Sequence, residues 1–210
     1  MKKDKLGINH WSKELSELKN VKSVIDVGVM TGTFDLYNSF PGAELILIDP
    51  LTESQNFIKE NLKRKYTFYK CALSDTNGTT VINVSQNGAK SSLLKRSELT
   101  EATIVEQRNV DLKRLDSVLE DVELAEPCLL KIDTEGYDLL VLKGALDTIK
   151  KCKYIICEVS VKKRFSNSYR FEDLILFMVE NRFTVKSVLE APRSLLYLDI
   201  LFEKQEALAS

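Results

Sequence analysis

Short runs of β-branched and aliphatic residues alternate along the chain with segments whose apolar side chains recur every three or four positions. Residues 21–29, 43–49, 66–73, 127–133 and 153–159 are apolar almost without interruption, the pattern of parallel strands covered on both faces. Between them, residues 52–65, 115–125 and 137–151 each carry one apolar face; in the last, Leu139, Leu142, Leu146 and Ile149 share it. This order predicts an α/β fold with a mostly parallel sheet and helices on both faces. A further amphipathic helix follows at Phe171, Leu174, Ile175 and Met178, and two extended runs, 183–189 and 195–202, close the pattern.

Two segments stand outside the alternation. Residues 79–84 read as a strand and Asn87-Gly88 as a turn, with polar residues following to about position 105, which predicts a hairpin insertion after the third strand near the binding face. Residues 10–18 form a short amphipathic helix with Trp11, Leu15 and Leu18 apolar, suited to dock on the core or to lid the site.

A length of 210 residues with 44% hydrophobic side chains suits one domain. Within it, residues 1–20 are a helical extension, 21–160 the core, and 161–210 a closing helix and strands. Thirty basic against thirty-one acidic residues leave a net charge of -1, so no bulk positive field is present to hold a nucleic-acid backbone. The N-terminus lacks the apolar run of a secretory signal, and no stretch of about 18 uncharged residues could span a bilayer. A cytoplasmic protein without membrane insertion is expected. Cys71, Cys128, Cys152 and Cys157 form no CxxC pair and sit in apolar runs, where a thiol behaves as a small buried hydrophobe.

The candidate chemistry begins where the first run meets a glycine turn, Val24-Ile25-Asp26-Val27-Gly28-Val29-Met30-Thr31-Gly32-Thr33. In an open α/β sheet the first strand-to-helix turn lines the ligand crevice, so Asp26, Gly28 and Gly32 are cofactor-site candidates. Asp49 ends the second run twenty-three residues after Asp26, the spacing at which a carboxylate meets ribose hydroxyls. An ordinary βαβ unit, with a turn glycine and a capping aspartate, would use the same residues. Met30 stands where a dinucleotide fingerprint needs its second glycine, and no P-loop lysine follows. A nucleoside cofactor without phosphates fits better than a nicotinamide dinucleotide.

The wider pattern resembles the FkbM-type methyltransferase family. The resemblance rests on Asp26 to Phe34, Asp49-Pro50, Ala72-Leu73-Ser74-Asp75-Thr76-Asn77-Gly78, Ser91-Ser92-Leu93, Leu115-Asp116, and Leu130-Lys131-Ile132-Asp133-Thr134-Glu135-Gly136, followed by Val141-Leu142-Lys143-Gly144-Ala145. It covers about residues 21–160. The family commonly has Asn at the position of Met30 and Glu at those of Asp49 and Asp138.

The resemblance implies a Rossmann-like class I methyltransferase fold, S-adenosylmethionine as cofactor, and an oxygen acceptor on a sugar, a glycan precursor or a natural product. It also brings Ala72 and Leu73, with Ser74 and Asp75, past the adenine. Asp133 and Glu135 follow the fourth strand and are candidates for the base that takes the acceptor's proton, with Asp133 also near the cofactor. Capping of the next helix is the structural alternative for Asp133. No metal is expected, although Asp133, Glu135 and Glu158 together would suit a hard cation. His10 is a surface residue on this reading, held in reserve as a base. Lys162-Lys163-Arg164 reads as a solvated loop. A nicotinamide-dependent sugar oxidoreductase and a non-catalytic binding domain on the same sheet are the competing functions.

Overall fold

The apolar runs assemble into a seven-stranded sheet in the computed structural model, which describes residues 10–189 and 196–206. Its order is β3 (Thr67–Tyr69), β2 (Glu44–Ile48), β1 (Ser23–Val27), β7 (Cys128–Ile132), β8 (Cys152–Ser160), β10 (Tyr197–Lys204) and β9 (Phe183–Val188). The strands from β3 to β8 in this order are parallel, and β10 is antiparallel to both of its neighbours. β4 (Ala72–Leu73), β6 (Ile104–Lys113) and β5 (Gly78–Ser85) form a second, three-stranded sheet.

Alternate strand residues feed opposite faces of the main sheet, as the two-residue period of a strand requires. On one face Ile25, Leu130, Ile132 and Ile155 pack with Leu115, Leu142, Ile149, Leu174 and Met178. These come from α4 (Leu115–Val118), α5 (Asp138–Lys143), α6 (Thr148–Lys151) and α7 (Phe171–Glu180). On the other face Val24, Leu47, Leu129 and Ile156 meet Leu15, Leu36, Tyr37 and Ile58, from α1 (His10–Ser16), α2 (Phe34–Ser39) and α3 (Thr52–Asn61). Helices therefore cover both faces.

Several elements differ from the sequence expectation. The single strand expected over 66–73 breaks after Tyr69: β3 pairs with β2, whereas Ala72 and Leu73 pair with Leu112 and Lys113 in the second sheet. The insertion is a longer hairpin than its polar sequence suggests, because β5 is paired along its length by β6, whose inward positions Val110 and Leu112 carry the pattern. The helix expected over 115–125 stops at Val118 and continues as turns that still bury Leu119 and Leu124.

The helix expected over 137–151 is two. It ends at Gly144, where a Cβ would stand 1.9 Å from the Ser74 carbonyl oxygen, so only glycine lets the chain pass the turn after β4. Asp116 then accepts the Asp147 and Thr148 amides and starts α6. Of the closing run 195–202, Leu195 lies outside the described residues, as do residues 1–9 of the expected N-terminal extension.

In register, Val27 is level with Ile48 on one side and Ile132 on the other. The chain leaves β1 toward β2 and β3, then returns to β7 and β8 on the opposite side. The carboxyl ends of β1, β2 and β7 therefore open into a crevice where the winding reverses, the position at which open α/β sheets bind ligands.

Candidate active site

A cavity of about 650 Å³ occupies this crevice, within the size range of small-molecule sites. Gly28, Gly32, Asp49, Ala72, Leu73, Asp133, Glu135 and Glu158 all line it, and Trp11 of α1 reaches it from the N-terminal side. Of the cofactor-site candidates, Asp26 is missing from the wall, fully buried beneath it, and Ser74 and Asp75, expected beside the adenine with Ala72 and Leu73, are missing too, because the chain turns there to pack on Gly144. The side chain of His10 lies outside what is described.

The glycine turn is shaped first by the protein's own packing. Gly28 has φ +80, and a Cβ there would lie 1.9 Å from the Asp133 carbonyl oxygen, so the β1 and β7 loops touch backbone to backbone. The Asp133 amide donates to the Val27 carbonyl at 3.0 Å across the same contact. Met30 also has a left-handed φ, +45. Its amide donates to Asp49 Oδ2 at 2.9 Å, and the Leu51 amide donates to Oδ1 at 2.8 Å. Asp49 thus performs the turn and capping duty that was its structural alternative. The Ser54 hydroxyl also stands by this carboxylate, which remains on the cavity wall. Burial pushes its carboxyl above the ordinary value, while the Met30 and Leu51 hydrogen bonds pull the other way. The Met30 side chain rests on Gly88, the turn of the insertion.

Beneath the wall runs a charged chain. The Tyr37 hydroxyl donates to Asp26 Oδ2 at 2.5 Å; Lys131 Nζ lies 3.1 Å from Asp26 Oδ1 and 3.6 Å from Asp133 Oδ2. Burial works against the Lys131 ammonium, but Asp26 and Asp133 outweigh it and hold its pKa above the ordinary value. Asp133 is 35% exposed at its side chain, against 0% for Asp26.

Glu135 and Glu158 line the β7 and β8 side of the cavity and pair with a residue the sequence reading placed in solvent. Arg164 is 4% exposed; it pairs with Glu135 Oε2 at 2.6 Å and makes a short contact with Glu158 Oε1. Lys162 and Lys163 are the exposed members of that basic run. Arg96, from the insertion, reaches the same Glu135 oxygen at 2.9 Å. Burial pushes the Glu135 carboxyl up to about 7, with Arg164 and Arg96 lowering it and Asp133 raising it. Burial, reinforced by Asp133, also raises Glu158. Glu135 has a left-handed φ of +52, which in a non-glycine residue costs about 1–3 kcal/mol and is typical of functional loops. Among the described residues no group of three carboxylates, cysteines or histidines is arranged for a metal, and Glu135 and Glu158 are paired with arginines.

The loop itself is cut to shape by Asp138, which accepts the Thr134 amide at 2.9 Å, the Thr134 hydroxyl at 3.0 Å and the Gly136 amide at 3.2 Å. The helix-start capping weighed for Asp133 thus belongs to Asp138. Asp199 of β10 stands in register with Glu158 and also lines the cavity.

A family model described as the methyltransferase FkbM domain matches residues 26–185. The chain belongs to this family. The methyltransferase sdnD of Sordaria araneosa is 26% identical over 163 residues, which are 62% of this chain and 63% of that protein, so the match spans less than two thirds of the relative's own length. Among solved structures, an rRNA methylase from Streptococcus thermophilus superposes with a TM-score of 0.50 at 12% identity, covering 98% of this chain and 99% of that one. A Listeria monocytogenes protein assigned to the S-adenosylmethionine-dependent methyltransferases superposes at 0.52 and 15% identity, with 94% and 99% covered. At such identities the likeness is one of fold: the Rossmann-like fold of class I methyltransferases.

Membership gives the motifs a structural reading. The Leu-Asp pair caps α6 through Asp116, and the glycine of Val-Leu-x-Gly-Ala packs on Ser74 of the Ala-Leu-Ser-Asp run. The second serine of Ser-Ser-Leu, Ser92, donates to the Glu135 carbonyl at 2.7 Å. Arg96, Tyr37 and Asp199 are site participants that the sequence did not single out, whereas Trp11 was read on a helix suited to lid the site, Arg164 as part of a solvated loop, and Lys131 as part of the Asp133 motif without a role of its own. Lys131, a charge inside an apolar strand, carried a local signal.

Proposed function

We propose that the protein transfers a methyl group from S-adenosylmethionine to a hydroxyl oxygen of a small acceptor, a sugar or a natural-product intermediate. The observation that carries this reading is the buried Asp49 carboxylate on the cavity wall, level with the glycine turn and across from Asp133. The residues present fit the cofactor. Asp49 keeps acceptor capacity for a ribose hydroxyl after serving Met30, Leu51 and the nearby Ser54. Leu51, Ala72, Leu73 and Leu93 give an apolar wall for an adenine. The turn from Gly28 to Gly32 offers backbone for the methionine end.

When bound, the sulfonium supplies an already activated methyl group, which leaves the protein the tasks of alignment, dehydration and proton removal. Asp133 serves as the base for the acceptor hydroxyl, since it is the accessible carboxylate at the β7 end, and Lys131 anchors its Oδ2. Glu135, gripped by two arginines, orients the acceptor. Asp26 acts from below the wall, holding Lys131 and Tyr37. Nucleic acid is disfavoured as acceptor: the chain's net charge is -1, and the basic side chains at the cavity, Lys131, Arg96 and Arg164, are committed to Asp26, Asp133, Glu135 and Glu158, which leaves no free positive surface there for a phosphate backbone.

Isothermal titration with S-adenosylhomocysteine and S-adenosylmethionine tests the cofactor. Binding at micromolar level by both is expected; no heat with either, or saturation by a nicotinamide dinucleotide instead, overturns the proposal. Transfer of labelled methyl from S-adenosylmethionine to a panel of sugars and polyketide alcohols tests the acceptor. Label entering RNA but no hydroxylic small molecule would refute that half.

A further inference from the structure

The insertion is tied to the core loops at several places: Gly88 lies against Met30, Ser92 donates to the Glu135 carbonyl, and a third tie gathers around one arginine. That tie rests on Arg96, in the arm that follows the Asn87-Gly88 turn. Its Nη2 reaches Glu135 Oε2 at 2.9 Å, its Nε donates to the Lys90 carbonyl at 3.0 Å, and its guanidinium lies 4.8 Å from the centre of the Phe165 ring. One side chain thereby joins the arm to itself, to the loop after β7, and to the segment after β8.

The backbone repeats the tie. Arg96 and Phe165 form an antiparallel bridge, with the Ser97 amide donating to the Arg164 carbonyl and the Ser166 amide to the Lys95 carbonyl, each at 2.8 Å. The Thr100 hydroxyl donates to the same Arg164 carbonyl at 2.8 Å. Phe165 is fully buried and fills the space beside Gly136, where a Cβ would meet its ring at 2.5 Å. Between this clasp and the Met30 contact at Gly88, Ala89, Ser91, Ser92 and Leu93 lie along the cavity. The arm is therefore a strap fixed at both ends, one on the cofactor turn and one on the acceptor loop.

We infer that Arg96 is a positioning residue which clasps this strap over the cavity, holding Glu135 on the acceptor wall and setting how long the cofactor stays bound. The physical argument is one of count and burial. The clasp has few hydrogen bonds, so it opens locally at less cost than the sheet. The paired guanidinium and carboxylate are both mostly buried, at 7% and 14% side-chain exposure, so losing Arg96 leaves Glu135 only Arg164, a cation it shares with Glu158. Removal of Arg96 then favours the open strap. Arg164 still pairs with Glu135 and keeps the loop after β7 folded.

The inference rests on the proposed cofactor, and the test separates the two. Trp11 is the chain's one tryptophan and lines the cavity, so its fluorescence reports binding of S-adenosylhomocysteine, the probe used. Stopped-flow dissociation from the full chain is expected to quicken about ten-fold in Arg96→Met, with Arg96→Lys in between because it retains the charge but not the fork. Hydrogen exchange read on the same proteins should show the Ser97 and Ser166 amides losing protection while β1 and β7 keep theirs. Lys186→Met, which breaks an exposed pair with Glu203 on the far strands, should change neither. If Arg96→Met does not fold, Arg96→Lys carries the test with the same two readouts. Dissociation within about two-fold of wild type, or protection lost uniformly through the sheet, overturns the clasp while leaving the cofactor assignment standing. Failure of the wild-type protein to bind S-adenosylhomocysteine overturns both.

Discussion

The Lys131 ammonium lies 3.1 Å from a carboxylate oxygen of Asp26, with 7% and 0% of the two side chains exposed. A buried pair of this kind adds little over an apolar pair of equal volume, yet breaking it on one side strands a charge in the core. Lys131→Met should therefore cost about 3–5 kcal/mol in urea denaturation. The double variant with Asp26→Asn should recover part of that loss. Strict additivity of the two single losses would show that the pair is not coupled.

Gly28→Ala brings a Cβ to 1.9 Å from the Asp133 carbonyl oxygen at a φ of +80. The β1 and β7 loops must then separate, which displaces the cofactor turn and the candidate base together. Loss of S-adenosylhomocysteine binding, with a lowered melting temperature, is the expected outcome in calorimetry. Affinity equal to wild type would mean that the turn does not contact the cofactor.

Asp49→Asn keeps the shape of the side chain but turns one of its two acceptor oxygens into a donor that faces an amide, either Met30 or Leu51. It also removes the acceptor charge offered to a ribose. Affinity for S-adenosylhomocysteine should fall about 10- to 100-fold, the worth of a charge-assisted hydrogen bond. An adenine-only probe, which has no ribose hydroxyls, should lose less.

Asp133→Asn should leave S-adenosylhomocysteine affinity near wild type and lower methyl transfer to a competent acceptor by about two to four orders of magnitude, the range of general-base catalysis. Rapid-quench single-turnover assays would measure it. Equal loss with Glu135→Gln and none with Asp133→Asn would move the base one turn of the loop onward.

The buried thiols predict an alkaline limit to stability. Burial pushes Cys71 and Cys128 up to about 11 and raises Cys152 and Cys157 well above 9.0. Folded-state pKa values above the unfolded ones mean that the stability these protons contribute is present below about 9 and is lost as pH rises through about 11. The melting temperature should decline between those limits. Replacing Cys157 with Ala should flatten the decline, and native protein at pH 8 should react slowly with a disulfide reagent.

The fold was legible because parallel strands buried on both faces leave continuous apolar runs, and the helices between them leave a 3.6-residue period. The misread elements are those whose limits depend on a distant partner. β6 alternates too weakly to be read without β5 beside it, and position 144, where the helix after residue 137 ends, must be glycine because the Ser74 carbonyl stands there. Tyr69 and Ala72 belong to different sheets for the same reason: each strand pairs with whatever backbone lies at its edge.

For the site, the strand pattern was enough to bring part of the cavity wall together, since loops at the carboxyl ends of successive parallel strands must converge. Gly28, Asp49, Asp133 and Glu135 follow from that geometry. Tertiary structure alone decided what each of them does to the others. Asp26 went under the wall because Tyr37 and Lys131 claim its oxygens. Glu135 and Glu158 became half of an ion-pair network because Arg164, read as a surface residue, folds inward, and Arg96 arrives from an insertion roughly forty residues away. Periodicity records which face of an element is apolar. A charge pair between loops has no period, and burial, which gives it its strength, exists only once the chain has folded.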